Sequence, residues 1–197
     1  MELSKNKIKN YRLLNQKKHR DKDGLFLIEG KKMVLEAISN NPELIEEVIC
    51  TDTFFEATNI PFNGSISTTS FNNLAKISSL KTPQEIIAVV QKPRVMTNEY
   101  IEIDDLVLVL EDISDPGNLG TIIRMADWFG IRHIACSHGS VDCFNPKVVQ
   151  ATMGGIFRVN ISYTDINQFI ELAKENRIPV YGTLLNGENI YKEQLSN

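Results

Sequence analysis

Cysteine is nearly missing from this chain: Cys50, Cys136 and Cys143 are three in 197 residues, an odd number without a framework spacing. That argues against a secreted disulfide scaffold and fits reduced thiols packed in a sizeable core. Long apolar runs are missing too. No stretch approaches the ~20 residues of a membrane span, and the start, Met1-Glu2-Leu3-Ser4-Lys5, lacks the apolar region of a signal peptide. The expectation is a soluble, cytoplasmic protein with no membrane partner. Nothing repeats, and no tract is of low complexity. A Walker lysine and a Ser-His-Asp order are absent, and Gly117-Asn118-Leu119-Gly120 is not the G-x-G-x-x-G of a dinucleotide site. Cys136, His138 and Cys143, with His133 nearby, carry the atom types of zinc ligands. Their Cys-x-His-x4-Cys spacing matches no established site, His133 falls within a strand pattern, and buried cysteine usually packs as a small hydrophobe, so no metal is expected.

What is present is a substantial apolar fraction, 42%, enough for one or two domains with real cores. The net charge of −4 hides an asymmetry. Residues 1–32 hold ten Lys or Arg against four acids, a local balance of +6, which leaves −10 on the remaining 165 residues. A basic end of this kind is the electrostatic footprint of phosphate binding; the plainer alternative is a solvated helix face. The candidate RNA contacts are Lys9, Arg12, Lys17, Lys18, His19 and Arg20, with Tyr11, Asn15 and Gln16 interleaving stacking and hydrogen-bonding groups.

In chain order, residues 7–16 read as a short basic helix and 25–28 as a buried strand ended by Glu29-Gly30. An amphipathic helix over 31–39, closed by Asn40-Asn41-Pro42, and a strand over 44–50 complete a β-α-β unit. Ile66-Ser67 suits a short strand, Ser70 caps a helix running to Ile77, and 86–90 form another apolar strand. Residues 92–104 mix proline and charge without an apolar period and read as a linker. The expected organisation is a small α/β domain over 1–94, a linker over 95–104 and a second domain over 105–197.

The second domain is organised around residues 105–131. Residues 106–110 are an uninterrupted apolar run, the pattern of a parallel strand covered on both faces. Asp115-Pro116-Gly117-Asn118 breaks the run; Asn118 is placed to cap the next helix and Gly130 to stop it. Ligands of open α/β sheets sit at such carboxyl ends of strands. Leu119, Ile122, Ile123, Ala126 and Phe129 form the expected buried stripe, leaving Arg124 on another face above Gly120, where a guanidinium and helix-start amides could seat a phosphate oxygen. The alternative pairs Arg124 with Asp127 on a wet surface. Further strands are expected over 132–136, 159–161 and 179–185, with helices started by Asn145-Pro146 and capped by Asp165 and a turn at Gly154-Gly155.

The run Asp115-Pro116-Gly117-Asn118-Leu119-Gly120, followed by Arg124, Ala126, Phe129 and Gly130, resembles the first signature motif of the SpoU, TrmH-like branch of the SPOUT RNA methyltransferases. The resemblance implies transfer of a methyl group from S-adenosyl-L-methionine to a ribose 2′-hydroxyl of ribosomal RNA or, secondly, transfer RNA. It assigns Arg124 as the catalytic arginine and Asn118 as its support. Thr183 and Leu184 become candidate cofactor contacts, and 147–157 resembles the segment whose small-residue turn lies beside the site. The first half, with Glu29-Gly30 and Thr82-Pro83-Gln84-Glu85, resembles the family's RNA substrate-binding domain. The implied fold is α/β: a small N-terminal RNA-binding domain and a Rossmann-like SPOUT domain with a mainly parallel sheet. That second domain is expected to be incomplete, because the family's two later knot-forming motifs have no counterpart before Asn197. The full-length form is expected to be a homodimer. A non-catalytic RNA-binding remnant is the alternative, and weak binding of the cofactor by the chain as given is the matching expectation.

Overall fold

The computed structural model describes residues 2–93 and 106–183 together with 187, 189 and 192. Two sheets organise it. The first contains β1 (Leu25–Glu29), β2 (Ile45–Thr51), β3 (Ile66–Thr69) and β4 (Ile86–Gln91) in the order β1-β4-β2-β3. β4 runs antiparallel between β1 and β2, while β2 and β3 are parallel. The β-α-β reading of the first strands is therefore correct in direction, but an antiparallel strand separates them. Their near-continuous apolar sequences match burial on both faces. Phe26, Ile28, Val48, Ile86 and Val90 point to one side, where α3 (Lys31–Asn40) and α4 (Asp52–Ala57) pack. Leu27, Ile49, Ile87 and Val89 point to the other, against α1 (Lys5–Leu13) and α5 (Phe71–Ile77).

The basic amino-terminal segment is two helices, not one: α1 ends at Leu13, and α2 (Lys17–Asp23) ends on Gly24 in the left-handed region (φ +67°). Leu3, Ile8 and Leu14 are buried, so this segment is part of the core as well as a charged surface.

The second sheet is wholly parallel, in the order β5 (Val107–Leu110), β6 (His133–Ser137), β7 (Asn160–Thr164). Helix α6 (Pro116–Trp128) makes the crossover from β5 to β6, and α7 (Pro146–Thr152) lies between β6 and β7. α6 and α7 pack together on one face over Leu108, Leu110, Ile134, Cys136 and Ile161, and α8 (Ile166–Glu175) follows β7. β5 is not covered on both faces as its sequence suggested. It borders the sheet among the described residues, with Val109 exposed, because an apolar run reports hydrophobicity and not the number of neighbours. The strand expected over 179–185 is not formed in its described part, 179–183, to which neither sheet extends, and 184–185 lie outside the described residues. The expected linker, 95–104, lies wholly outside the described residues.

The two halves meet along α7 and β1. Phe26 stands 4.9 Å from Phe144 and 6.1 Å from Phe157, ring centre to ring centre, and Val149 of α7 joins the first core. Lys92 lies 5.1 Å over the Phe144 ring and pairs with Asp21 at 2.6 Å.

Candidate active site

Helix α6 begins differently from its sequence reading. The N-cap is Asp115, whose Oδ1 accepts from the Asn118 amide at 2.8 Å; Pro116 fills the first helical position, where a missing N–H costs nothing. Asn118 lies one turn in, exposed, its side chain spared from capping. The far end behaves as expected: Gly130 takes φ +73° just past the helix.

Gly120 is not an open patch beneath Arg124. It is buried against α7, and a Cβ there would stand 2.5 Å from Ala151 Cβ and 2.8 Å from the Val148 carbonyl. The glycine permits close helix packing, so the phosphate seat expected at this point is filled by protein. The buried stripe also needs correction. Leu119, Ile123 and Ala126 face the core, but Phe129 is 74% exposed and Ile122 only partly covered.

Arg124 is exposed. Asp127, the alternative partner expected for it, is occupied instead by Arg158, whose Nε and Nη2 donate to Oδ1 and Oδ2 at 2.8 Å each. Among the described residues no carboxylate pairs with Arg124. Asn118 and Arg124 are six residues apart, about 9 Å along the helix axis, too far for a direct hydrogen bond. Both face outward, available to a molecule lying along α6.

At the carboxyl ends of β5 and β6, Asp112 takes φ +48°. Its amide donates to Ser137 Oγ at 2.9 Å, Ser137 Oγ donates back to Asp112 Oδ1 at 2.9 Å, and Ser140 Oγ accepts from the Ile113 amide at 3.2 Å. These contacts fix the loop that carries Asp115 and Asn118. Nothing in the sequence patterns drew attention to Asp112, Ser137 or Ser140, since their pairing spans more than twenty residues of chain.

Of the candidate RNA contacts, Lys9, Arg12, Lys17 and Lys18 are exposed and His19 half-buried on the first two helices. Arg20 is the exception. It is 2% exposed, donates to the Leu14 carbonyl at 2.9 Å and pairs with Asp142 at 2.6 Å across the two halves. A buried, paired guanidinium holds the fold together and cannot meet RNA. Tyr11 and Asn15 are also engaged internally, Tyr11 with Glu47 and Asn15 with the Ile77 carbonyl. Glu47 is 1% exposed. Burial pushes its carboxyl up, but hydrogen bonds from Ser67, Tyr11 and Lys7 outweigh this and hold it below the ordinary range.

A cleft of about 260 Å³ opens at the seam, lined by Gly30, Lys31, Lys32 and Gln84 from the first half and Gln150 and Met153 from the second. Gly154-Gly155 forms the expected turn beyond α7, although Met153, at φ +51°, takes the left-handed position that ends the helix. Burial pushes the Cys136 thiol up to about 11 and Cys143 to about 12, so both stay protonated at neutral pH. Thr183 is exposed and lies in no helix or strand, and Leu184 falls outside the described residues.

Residues 105–197 match the SpoU rRNA Methylase family and residues 5–88 the MRM3-like substrate binding domain. The 23S rRNA (guanosine(2553)-2′-O)-methyltransferase RlmP of Bacillus subtilis is 30% identical over 194 residues, 98% of this chain and 76% of that protein. Mitochondrial rRNA methyltransferase 3 of Mus musculus is 29% identical, over 76% of this chain but only 37% of its own length. A TrmH-family structure from Porphyromonas gingivalis is 35% identical with a TM-score of 0.86, covering 100% of this chain and 77% of that one. The AdoMet-bound rRNA methyltransferase of Sinorhizobium meliloti is 28% identical with a TM-score of 0.73, covering 88% and 67%. With both segments matched and this chain aligned to RlmP over 98% of its own length, the chain belongs to the SpoU rRNA methylase family.

Proposed function

We propose that this protein is an S-adenosyl-L-methionine-dependent RNA 2′-O-ribose methyltransferase, with ribosomal RNA as its substrate and transfer RNA as the second choice. The observation that carries the reading is the state of α6: Arg158 saturates Asp127, and the motif's Arg124 stands exposed without a carboxylate partner among the described residues. The names of the relatives support RNA as the substrate, and the AdoMet-bound neighbour supports the donor.

S-adenosyl-L-methionine supplies an electrophilic methyl group. A ribose hydroxyl is a poor nucleophile at neutral pH; as its oxygen takes the methyl group, the methyl–sulfur bond would break to leave a neutral thioether and the hydroxyl proton would pass to solvent water. A guanidinium carries five donors and no acceptor, so Arg124 does not take that proton. It holds the neighbouring phosphate and stabilises the developing alkoxide, while Asn118 orients the substrate from the first turn. Lys9, Arg12, Lys17, Lys18 and His19 bind the RNA backbone on the first half, residues 1–94. Residues 105–197 carry the chemistry, with 95–104 joining them, and Thr183 and Leu184 would contact the donor. The protein acts in the cytoplasm. No helix among the described residues is long and apolar enough to cross a membrane. It works as a homodimer: Met125, Trp128 and Phe129 form an exposed apolar face on α6, with Trp128 85% and Phe129 74% exposed.

The test is single-turnover methylation of ribosomal RNA with labelled donor, reading ribose methylation as resistance to alkaline cleavage. Arg124→Lys keeps the charge but loses the planar fork. It should lower the rate by about 10²-fold or more, roughly 2.7 kcal/mol of transition-state stabilisation. A near-normal rate in the lysine variant would remove Arg124 from the site. RNA binding without methyl transfer by the wild type would instead favour a non-catalytic RNA-binding role.

A further inference from the structure

Arg158, at the seam between the two halves, grips both. Arg158 follows the turn Gly155–Phe157 and presents its guanidinium in two directions. Nε and Nη2 form a two-pronged bond to Asp127 on α6, and Nη1 donates to Glu36 Oε1 on α3 at 2.5 Å. The approach is tight: a Cβ on Gly154, itself at φ +93°, would stand 3.1 Å from Glu36 Oε1. Asp127 lies one turn beyond Arg124 on the same helix, and Glu36 borders the seam cleft that also holds Lys31 and Lys32 at the start of α3.

The geometry points to Arg158 as a positioning residue that fixes the RNA-binding half at a set offset from Arg124. This rests on the methyltransferase reading given above. The arrangement suits the task better than a general role in stability. Arg158, Glu36 and Asp127 are 41%, 30% and 22% exposed, so the trio lies at a partly wet surface where ion pairs contribute little to folding. Its two-pronged geometry, in contrast, defines direction and distance. The halves are joined elsewhere by Arg20 with Asp142 and by Phe26 between Phe144 and Phe157. Releasing Arg158 therefore leaves them attached and frees a swivel about those remaining contacts. Reaction rates respond steeply to such freedom, because a misplacement of about 1 Å can cost about 10²-fold.

Glu36→Gln is the discriminating variant, since it weakens the tie to α3 and keeps the fork on Asp127. Spin labels on Lys76→Cys and Glu175→Cys report the separation of the halves; the three native cysteines are buried and stay unlabelled. The expected result is one narrow distance in the parent and a broadened distribution in both Glu36→Gln and Arg158→Gln. The same variants should lower kcat for the RNA by about tenfold or raise its KM, with cofactor affinity unchanged and Arg158→Lys restoring little of the loss. A simple loss of folded protein would scale kcat and leave KM and the distance distribution alone. Unchanged distances in both variants overturn the proposal. A parent enzyme that transfers no methyl group overturns the functional reading instead, and the distance measurement still decides the seam.

Discussion

Alanine is the better helix former by about 1 kcal/mol, yet position 120 inside α6 holds glycine. The close approach of α7 explains the choice, since the Val148 carbonyl that a Cβ would meet at 2.8 Å is backbone and cannot rotate aside. Overpacking costs about 1–3 kcal/mol and should exceed the propensity gain, so Gly120→Ala is expected to lower the urea midpoint, by about 1–2 kcal/mol of stability. A raised midpoint would mean that the helices part easily. Glu47 offers a second test at this scale. Its carboxyl is held below the ordinary range in the folded chain, so the unfolded chain binds more protons near pH 4 and stability rises with pH there. The contribution is complete above the unfolded value of about 4.3 and is lost as pH falls through the lowered folded value. Glu47→Gln should flatten the stability profile in that acid window and leave its shape at pH 6–8 unchanged; an identical acid limb in both proteins would show that the carboxylate is not linked to folding.

The α6 element shows how much of the site was legible in sequence. A strand, a polar break, a helix and a glycine stop were all readable from residues 106–131, because caps, breakers and apolar spacing act over a few neighbouring positions. Which residue capped the helix was not. Asp115 and Asn118 are both good caps, and the choice depends on Pro116, which favours the first helical position. The contacts of Asp112, Gly120 and Arg158 were also hidden, since each is set by a partner from another element. The two motif polar residues should now separate cleanly. Asp115→Ala removes a cap and is expected to cost about 0.5–2 kcal/mol of stability. Asn118→Ala should stay within about 0.5 kcal/mol of the parent yet lose methyl transfer. Thermal unfolding beside single-turnover rates distinguishes them, and a large stability loss at Asn118 would restore it as the cap.

Across the whole molecule, the two sheets follow from apolar strand patterns, whereas the joint between the halves does not, because Arg20 reads as one more cation in a basic run. Its burial changes how the charge asymmetry can be tested. Removing residues 1–22 would strip Leu3, Ile8 and Leu14 from the core and unfold the first half, so loss of RNA binding would prove nothing about charge. Replacing the exposed Lys9, Arg12, Lys17 and Lys18 with alanine leaves the core intact. Each phosphate neutralised on a single strand contributes about 0.7 to the slope of log K against log salt, so losing all four contacts should flatten the slope by up to about 3. Arg20→Gln should instead lower the melting temperature through the lost Asp142 pair and leave the slope of the folded fraction unchanged. Titrating labelled ribosomal RNA at several salt concentrations separates the two. If the fourfold variant keeps the parent slope, the basic helices are a solvated face and the RNA backbone is held elsewhere, with the seam cleft beside Lys31 and Lys32 next to be tested.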